Sequence, residues 1–393
     1  MRIVYFLPDI DAGVARIVKA LIKYKPQNND QYVVVLFSSQ ENRSLHPVAD
    51  FEGPNEIIRF LYSSRENVYA AYRRLANRVL HSEQDIIVAN DGWEIRMVAA
   101  LKLKNPIAYI LHGDFKYYYQ VCNMNQGIID LYIAYSTKVF AELTGEKLEK
   151  ENHYKVQKLY YPSATLALKA PSAKRDSSVF KILFAGTLNE RKGAHLLKDI
   201  YNELSLKIEL FQLCIIGEGN LQRELVRQFV GCENVIMEGW KSNEYVMEKM
   251  SEADVFLFPS SLEGLPNVLI EALYSGAVPV SSRLESGVLD VIEDHVNGCL
   301  VEPGDVIGYA EATVTLYNDR TLLNELRHNG KKRLEKFDPH KQAVLYDEVI
   351  KKSMTNRAKK TYPKYPMGRI LNKPWLPNVI VKSIRSIVNH PKV

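Results

Sequence analysis

The sequence has few cysteines and no long apolar run. Its four cysteines are spread over 393 residues with no close pair, at Cys122, Cys214, Cys232 and Cys299. This spacing predicts neither a disulfide framework nor a zinc site, and it fits the reducing cytoplasm. No segment approaches the roughly eighteen consecutive apolar residues of a spanning helix, so we expect no transmembrane segment. The short apolar run after Met1 is typical of a first strand rather than of a signal peptide.

Acidic residues are missing from the end of the chain. From Thr355 onward there are nine Lys or Arg and no Asp or Glu, whereas the whole chain carries a net charge of +5. The residues before Thr355 therefore carry a net charge of −4. A mildly acidic body without a motif that reads bases excludes nucleic acid as a partner. The charge asymmetry directs attention to the basic tail, residues 355–393.

The basic tail ends in an amphipathic segment. On a helix, Lys382 and Arg385 lie away from a face formed by Ile380, Ile384, Ile387 and Val388. Such a pattern indicates reversible binding to the inner surface of a membrane, where each basic residue near anionic lipid contributes roughly 1 kcal/mol. A helix docked on the protein body with solvated lysines would have the same pattern, so the sequence leaves both interpretations open.

Short strand-like runs alternate with helical patterns through both halves of the chain. This alternation predicts an α/β fold in which parallel sheets carry helices on both faces. Helical patterns include Val14–Lys23, Val68–Leu80, Ile95–Leu103 and, after both halves, His340–Ser353. The strand-like runs are Ile3–Leu7, Tyr32–Phe37, Asp85–Ala89, Ile107–Leu111, Leu131–Tyr135, Phe180–Ala185, Phe211–Ile216, Asn234–Met237, Val255–Phe258 and Val278–Ser281. The stretch 163–178, rich in Ala, Ser, Lys and Pro, is the predicted linker between two domains.

The most informative segment runs from Pro259 to Pro279. Seven residues separate Glu263 from Glu271, and a helix is predicted to begin near Asn267, after a Gly-Leu-Pro turn. Side chains on a helix lean toward its N-terminus, so the Glu271 carboxylate can reach the end where free N–H groups favour an anion. One carboxylate can accept a sugar hydroxyl, the other a diol, and the amides a phosphate. A nucleotide-sugar offers all three groups.

This segment resembles the Glu-x7-Glu signature of the retaining glycosyltransferases of family 4, the group 1 glycosyl transferases with the GT-B fold. The likeness continues into Val278–Ser282, Asp294–Val301 and Glu302–Asp305, and it is looser in the N-terminal half. The resemblance implies two Rossmann-like doubly wound domains facing each other across a cleft. We therefore expect an acceptor-binding domain over residues 1–165, a nucleotide-sugar-binding domain over 178–338, a helix over 339–354 that returns to the first domain, and the basic tail.

The resemblance assigns a leaving-group role to a glycine loop in the second half. The loop Gly186–Gly193 carries Arg191 and Lys192, whose charges can stabilise a departing diphosphate. Thr187 stands where the family usually has an arginine. We expect Arg191 to take over the role of that arginine. A solvated basic turn at a helix start would carry the same residues.

Donor-binding roles follow for a further set of residues. A second glycine loop, Ile216-Gly217-Glu218-Gly219, lacks the third glycine of a dinucleotide site, which argues against a nicotinamide cofactor. In the family this loop lies near the nucleotide base, although a tight turn is an equally good explanation. The predicted donor-binding residues are Gly13, Gly186, Gly217, Gly264, Leu265, Pro266, Asn267 and Glu271.

The N-terminal half contributes the remaining candidates. His112 follows the run Ile107–Leu111 and resembles the family's histidine that contacts the transferring sugar, although a lone histidine is more often structural. The resemblance thus gives a predicted catalytic set of His112, Arg191, Lys192 and Glu263. Asp11, Asp91 and Tyr118 are the predicted acceptor-binding residues; a helix cap by Asp91 and simple packing of Tyr118 are the alternatives. Asp9 and Asp11 form an Asp-x-Asp pair, the metal motif of another glycosyltransferase fold, but in a different loop. We predict no metal.

These observations predict a cytoplasmic retaining glycosyltransferase. The expected donor is a nucleotide-diphosphate sugar, with UDP favoured over GDP, and the acceptor is a glycan or lipid-linked sugar in cell-surface polysaccharide synthesis. No cofactor is expected, because cationic side chains can take the place of a metal. The alternatives are another GT-B enzyme, such as a sugar-nucleotide epimerase or a phosphorylase, and an inactive nucleotide-sugar-binding subunit. Ala12 and Thr187, which depart from the family pattern, give the last some support.

Overall fold

The computed structural model describes residues 1–41, 47–48, 50–167, 179–355, 357, 359–363 and 371–388, without the side chains of 353 and 386–388. The chain divides into two compact units. Unit 1 comprises Met1–Tyr135, Val139–Pro162 and Pro339–Val393, and unit 2 comprises Ser136–Lys138 and Ser163–Asp338. Most of the predicted linker, residues 168–178, lies outside the described residues.

Each unit is built on one parallel sheet. The sheet of unit 1 has the order β3-β2-β1-β4-β5-β6-β7 and the sheet of unit 2 the order β10-β9-β8-β11-β12-β13. Every described strand pair in both sheets is parallel. The strands are β1 Arg2–Pro8, β2 Gln31–Ser39, β3 Glu56–Tyr62, β4 Ile86–Ala89, β5 Ile107–Ile110, β6 Leu131–Ala134, β7 Val156–Lys158, β8 Phe180–Ala185, β9 Phe211–Ile216, β10 Val235–Gly239, β11 Val255–Phe258, β12 Val278–Ser282 and β13 Cys299–Val301.

Helices connect the strands and cover the sheets. Short 3₁₀ turns lie at Lys150–Lys155, Ala164–Ala167, Ala194–Leu196 and Leu334–Phe337, and one π turn lies at Leu143–Lys147. The helices are α1 Gly13–Lys23, α2 Val68–Val79, α3 Trp93–Leu101, α4 Lys116–Met124, α5 Thr137–Glu142, α6 Leu197–Ser205, α7 Gln222–Gln228, α8 Asn243–Glu252, α9 Asn267–Ser275, α10 Val288–Val291, α11 Val306–Asn318, α12 Arg320–Arg333, α13 Pro339–Ser353 and α14 Asn378–Val388.

The predicted fold class, two doubly wound parallel α/β domains, is confirmed. The central strands are apolar on both faces, as sheets covered on both sides require, and β4, β5, β6 and β11 are buried throughout. The sequence indicated five strands in each half, whereas the sheets have seven and six. The three additional strands, β3, β7 and β13, are short or partly exposed at sheet edges.

The last long helix, α13, packs in unit 1. Tyr346 and Ile350 are completely buried, and the Tyr32 hydroxyl donates a 2.7 Å hydrogen bond to Oδ1 of Asp347. Lys351 pairs with Asp347 at 2.6 Å and also contacts Asp30. Helix α13 therefore belongs to the core of unit 1.

The basic tail also packs on unit 1 wherever the structure describes it. Thr361 N–H donates to the carbonyl of Gly127 at 2.9 Å, and a Cβ on Gly127 would lie 2.4 Å from the Thr361 carbonyl oxygen. Such a close approach allows only glycine. Farther along, Val381 and Arg385 of α14 are buried, and the Arg385 guanidinium donates to the carbonyl of Ser64 at 3.0 Å. The described part of the tail is therefore docked on the protein body, which is one of the two interpretations that the sequence left open.

Candidate functional site

The predicted leaving-group residues converge at one edge of the unit 2 sheet. Strands β8 and β11 are neighbours, and the loops that follow them bring Lys192 and Glu263 together. Ligands of doubly wound sheets bind beyond the carboxyl ends of the strands, where the strand order reverses. In unit 2 the reversal falls between β8 and β11, so these loops lie where a ligand is expected.

Glu263 is the centre of a cationic cluster. Its Oε1 atom lies 2.6 Å from Nζ of Lys192 and 3.3 Å from Nη1 of Arg191. The Glu263 and Lys192 side chains are only 10% and 18% exposed, while Arg191 is 48% exposed. The carboxylate therefore fixes the ammonium of Lys192 in place, and the more exposed guanidinium lies beside it. The sequence predicted all three as catalytic residues but gave no sign that they form an ion-paired cluster.

Backbone contact holds the two loops of this cluster against each other. Ser261 N–H donates to the Arg191 carbonyl at 2.8 Å. Gly193 has a φ of 72°, and a Cβ there would lie 2.0 Å from the carbonyl oxygen of Pro259. Because only glycine tolerates both the left-handed backbone and this approach, Gly193 fixes where Lys192 points.

A pocket of about 290 Å³ lies at the same edge of the unit 2 sheet. It is bounded by the ends of β8 and β9, by the beginning of α8 and by the first turns of α9. Its wall includes the predicted donor-binding residues Gly186, Gly217 and Glu271. A Cβ on Gly217 would lie 1.9 Å from the Gly186 carbonyl oxygen, so the two glycine loops pass each other in direct backbone contact. The structure thus brings together two loops that lie about thirty residues apart in the sequence.

The sequence analysis missed Trp240 and Lys241, which also line this pocket. Trp240 follows β10 and is 71% exposed, which is unusual for the largest apolar side chain. An exposed indole beside a pocket of this size offers a flat surface on which an aromatic base can stack. The only signal in the sequence was the position of the tryptophan directly after a strand, next to a glycine.

Helix α9 presents Glu271 and its own N-terminus to the same region. Glu271 lies in the second turn, as predicted, and accepts a long 3.4 Å hydrogen bond from Oγ1 of Thr165. The helix begins at Asn267 after Pro266, and within the described residues no side chain caps its first turn. Uncapped amides at a helix N-terminus favour an anion. The Gly264-Leu265 turn is packed closely on Gly287, where a Cβ would lie 2.6 Å from the Gly264 carbonyl oxygen.

In unit 1, His112 belongs to a chain of internal hydrogen bonds. Its Nε2 lies 2.7 Å from Oδ1 of Asn90, whose amide group donates to the Phe6 carbonyl at 2.9 Å. Because Asn90 Oδ1 can only accept, Nε2 carries the ring proton. The other nitrogen, Nδ1, lies 3.2 Å from the hydroxyl of Tyr161. Burial lowers the pKa of His112 to about 3, so the imidazole is neutral at physiological pH.

Glu94, another residue that the sequence analysis missed, supports this histidine. Its Oε1 accepts the backbone N–H groups of Asn90 at 2.7 Å and Asp91 at 2.8 Å. The side chain is completely buried, and desolvation raises its pKa well above the ordinary value. Glu94 thereby fixes the loop that carries Asn90, and through Asn90 the orientation of His112.

Two of the predicted acceptor residues of unit 1, Asp91 and Tyr118, both contact Tyr117. Oδ1 of Asp91 accepts hydrogen bonds from the Tyr117 hydroxyl at 2.5 Å and from the Gly92 N–H at 2.7 Å. Tyr118 is half-buried and packs edge-on against Tyr117, with ring centroids 5.5 Å apart. Burial raises the pKa of Tyr118 to about 12. Tyr118 thus packs on a neighbouring ring, and its role toward an acceptor stays a prediction.

The loop between β1 and α1 contains Asp9, Asp11 and Gly13. Arg59 holds Asp9 at 2.7 Å, and Lys19 pairs with Asp11 at 3.4 Å. The two carboxylates thus each have a cationic partner. Gly13 is exposed, and a Cβ added to it would meet nothing within 4 Å, so a ligand could approach its backbone closely.

In the described part of the chain, no three His, Cys, Asp or Glu residues are grouped so that they could hold a metal ion. None of the described helices combines the length and apolar character needed to cross a bilayer.

Comparisons with known proteins assign a class to unit 2 and a fold to the chain. Residues 169–333, less than half of the chain, match the family model described as "Glycosyl transferases group 1". The crystal structure of Anabaena HepE in complex with UDP has a TM-score of 0.70 at 17% identity, covering 90% of this chain and 100% of that one. The predicted resemblance to group 1 glycosyl transferases and the GT-B fold are thus confirmed.

Two relatives whose names give an activity match part of the chain. One is the GalNAc-alpha-(1->4)-GalNAc-alpha-(1->3)-diNAcBac-PP-undecaprenol alpha-1,4-N-acetyl-D-galactosaminyltransferase of Campylobacter jejuni, 32% identical over 42% of this chain and 46% of that protein. The other is the lipopolysaccharide 1,6-galactosyltransferase of Escherichia coli K12, 29% identical over 41% of this chain and 45% of that protein. The chain therefore spans about half the length of these relatives.

Replacing Glu271 by alanine is expected to weaken donor binding about tenfold or more. The carboxylate lines the pocket of unit 2, and its loss would leave ligand hydroxyls without an acceptor, at about 1–3 kcal/mol. Calorimetric titration with UDP would measure the change. Glu311→Ala, on the surface of α11 in the same unit, is the matched control, and an unchanged dissociation constant for Glu271→Ala would remove this residue from the donor site.

Proposed function

We propose that this protein is a retaining glycosyltransferase of family 4 that uses a nucleotide-diphosphate sugar. The observation that carries the proposal is the Glu263–Lys192–Arg191 cluster, which lies at the same edge of the unit 2 sheet as the pocket that Glu271 lines. A diphosphate bound at the N-terminus of α9 would meet the amides of that helix and two cationic side chains. These groups would stabilise the charge that develops as the sugar leaves.

We assign the donor to the uridine nucleotides. An exposed Trp240 at the pocket can stack on a base, and the Anabaena structure of similar fold contains UDP. Stacking alone does not select among bases, so the assignment rests on that similarity of fold and on the size of the pocket, about 290 Å³.

The acceptor is proposed to be a glycan or a lipid-linked sugar, bound by unit 1. His112 is held neutral with its Nε2 protonated, and Gly13, His112 and Asp91 all follow strands at the carboxyl edge of the unit 1 sheet. The name of the Campylobacter relative includes an undecaprenol diphosphate acceptor, which supports a lipid-linked substrate in cell-surface polysaccharide synthesis. We propose that the reaction takes place in the cytoplasm.

A donor panel tests the proposed function directly. We expect release of nucleoside diphosphate from a UDP-sugar in the presence of acceptor glycolipid, with the anomeric configuration retained in the product. Activity should survive EDTA, because Lys192 and Arg191 supply the positive charge. Release of UDP without glycosylation of the acceptor would indicate an epimerase, and phosphate-dependent release of sugar phosphate a phosphorylase. Donor binding without turnover would indicate an inactive subunit.

Helix α14 is proposed to bring the enzyme to the membrane while docked. Among the described side chains of α14, Val381 and Arg385 are buried, whereas Ile380 and Ile384, on an adjacent side of the helix, are 47% and 37% exposed. Trp375, just before the helix, is 75% exposed. An exposed apolar face on a helix that also carries basic residues such as Lys382 is the composition of a helix that lies in the membrane interface. The two interpretations of the tail, docking and membrane binding, are therefore compatible.

Serine at Trp375, Ile380 and Ile384 together is expected to abolish sedimentation with anionic vesicles. These side chains make up the outward apolar face, and the docking residues Val381 and Arg385 are unchanged. Serine at the exposed Leu206 and Val230 of unit 2 is the control. Wild-type binding should weaken with salt, since charge is screened within about 8–10 Å at physiological ionic strength. Equal sedimentation of wild type and triple variant would contradict the proposal.

A further inference from the structure

Two neighbouring pockets lie at the amino-terminal edge of the unit 1 sheet, formed where the basic tail packs on the domain. Their volumes are about 360 and 620 Å³, and both are lined by Thr355 and Arg357. Asp130 directly precedes β6 and Lys155 directly precedes β7. Because all the described strands are parallel, this edge is opposite the one that carries His112 and Gly13. The pockets are therefore separate from the proposed acceptor site.

The walls of these pockets carry an excess of positive charge. Asp130 is the single acidic residue among the described residues that line either pocket, and its Oδ2 is paired with Lys360 at 2.8 Å. Against this one carboxylate stand the cationic side chains of Lys104, Lys155, Lys352, Arg357, Lys359 and Lys360. Lys104 is also paired, with the exposed Glu83 at 3.1 Å. The other cationic side chains of the two pockets outnumber the acidic side chains among the described lining residues.

Two of these lysines are partly or largely buried. The Lys360 side chain is 7% exposed and donates to Oδ2 of Asp130, while the half-buried Lys155 donates from Nζ to the Gln126 carbonyl at 2.9 Å. Burial lowers the pKa of both ammonium groups; for Lys360 the Asp130 carboxylate opposes this shift, and the charges of Arg357 and Lys155 add to it. A desolvated cation is costly unless an anion compensates it. The chain retains these groups although a single carboxylate serves them.

The tail holds the pockets in a fixed shape. The Arg357 guanidinium donates to the Lys104 carbonyl at 2.9 Å, and the Tyr362 hydroxyl donates to the Leu103 carbonyl at 3.0 Å. Gly127, which lines the first pocket, is in contact with the backbone of Thr361. Apolar surface from Ile129, Leu131 and Val349 forms the rest of that pocket's wall. The site thus combines a cationic rim with an apolar wall.

We propose that these pockets form a binding site for a phosphate monoester, held by Lys155, Lys352 and Arg357. A doubly charged phosphate accepts several hydrogen bonds and balances the excess charge, and an arginine can hold it through two parallel hydrogen bonds. The apolar wall of the first pocket would accommodate a hydrocarbon portion of the ligand, as in phosphatidic acid. Free phosphate has the same headgroup chemistry without that portion.

Calorimetry on the full chain distinguishes a lipid phosphate headgroup from free phosphate as the ligand. The probes are inorganic phosphate and dihexanoyl phosphatidic acid below its micelle concentration. We expect binding of at least one probe, and tenfold tighter binding of the lipid would identify a lipid headgroup, whereas equal affinities would identify free phosphate. Absence of binding by both probes would overturn the proposal.

Exposed residues provide the variants, so that the fold is not at risk. In Lys352→Gln with Arg357→Gln, binding of the better probe should weaken tenfold or more, whereas Lys207→Gln, in the turn after α6 of unit 2, should bind like wild type. Equal binding by the double variant and wild type would also overturn the proposal. Glycosyltransfer is not the readout, so failure of the proposed function leaves this test intact.

Discussion

Replacement of Lys192 by alanine is expected to lower kcat by about a hundredfold or more, with little change in KM for the donor. The ammonium is held by Glu263 at 2.6 Å beside the N-terminus of α9, where charge would develop on the leaving diphosphate. Loss of one electrostatic group that acts on a developing charge has an effect of this size. Steady-state kinetics with a UDP-sugar and an acceptor glycolipid would measure it.

A second variant separates the loss of the Lys192 charge from the cost of leaving Glu263 with one cationic partner fewer. Removing Lys192 alone leaves Glu263, only 10% exposed, with Arg191 at 3.3 Å as its charged partner. Lys192→Ala combined with Glu263→Gln removes this weakly compensated carboxylate charge. If the fold is intact in both variants and the rate stays near wild type, the loop is a solvated basic turn and not part of a catalytic centre.

Replacement of Gly217 by alanine is expected to lower the free energy of unfolding of unit 2 by about 3–5 kcal/mol. The residue has a φ of +142°, and a Cβ would lie 1.9 Å from the backbone oxygen of Gly186, which cannot move aside as a flexible side chain could. Effects of this size are exceptional and arise from such steric conflicts. Chemical denaturation monitored by circular dichroism would measure the loss, and UDP binding should fall with it.

The control for Gly217 is Gly231, which isolates the backbone strain. Gly231 has a φ of +81° and nothing within 4 Å of a Cβ position. Alanine at Gly231 should therefore cost only the left-handed conformation, about 1–2 kcal/mol. Similar losses for the two variants would mean that the glycine loops can separate, and that their contact does not shape the pocket.

The sequence was most predictive where local pattern and burial agree. Central strands such as β4 and β11 are apolar at every position, which no exposed segment would tolerate, and α9 begins after the Gly-Leu-Pro turn as expected. By contrast, β3 lies at a sheet edge and contains the exposed Glu56 and Arg59. These polar positions interrupt the apolar pattern, so the sequence did not predict this strand.

The arrangement of the site depended on contacts that no local pattern encodes. Glu263 and Lys192 are 71 residues apart, and Tyr161 meets His112 across 49 residues. Residue types and the likeness to a family indicated which side chains matter. Their pairing, and the support that Glu94 gives to Asn90, follow from strand order and loop packing, which only the folded chain defines.

The position of α13 has a consequence for synthesis of the protein. Unit 2 is almost continuous in sequence, whereas unit 1 needs Pro339–Ser353 to cover α1 and to give Tyr32 its partner Asp347. During synthesis, unit 2 therefore emerges from the ribosome before α13 is available to complete unit 1. Until then, the N-terminal part of unit 1 exposes the apolar surface that α13 covers. A fragment ending at Pro162 would expose that surface permanently.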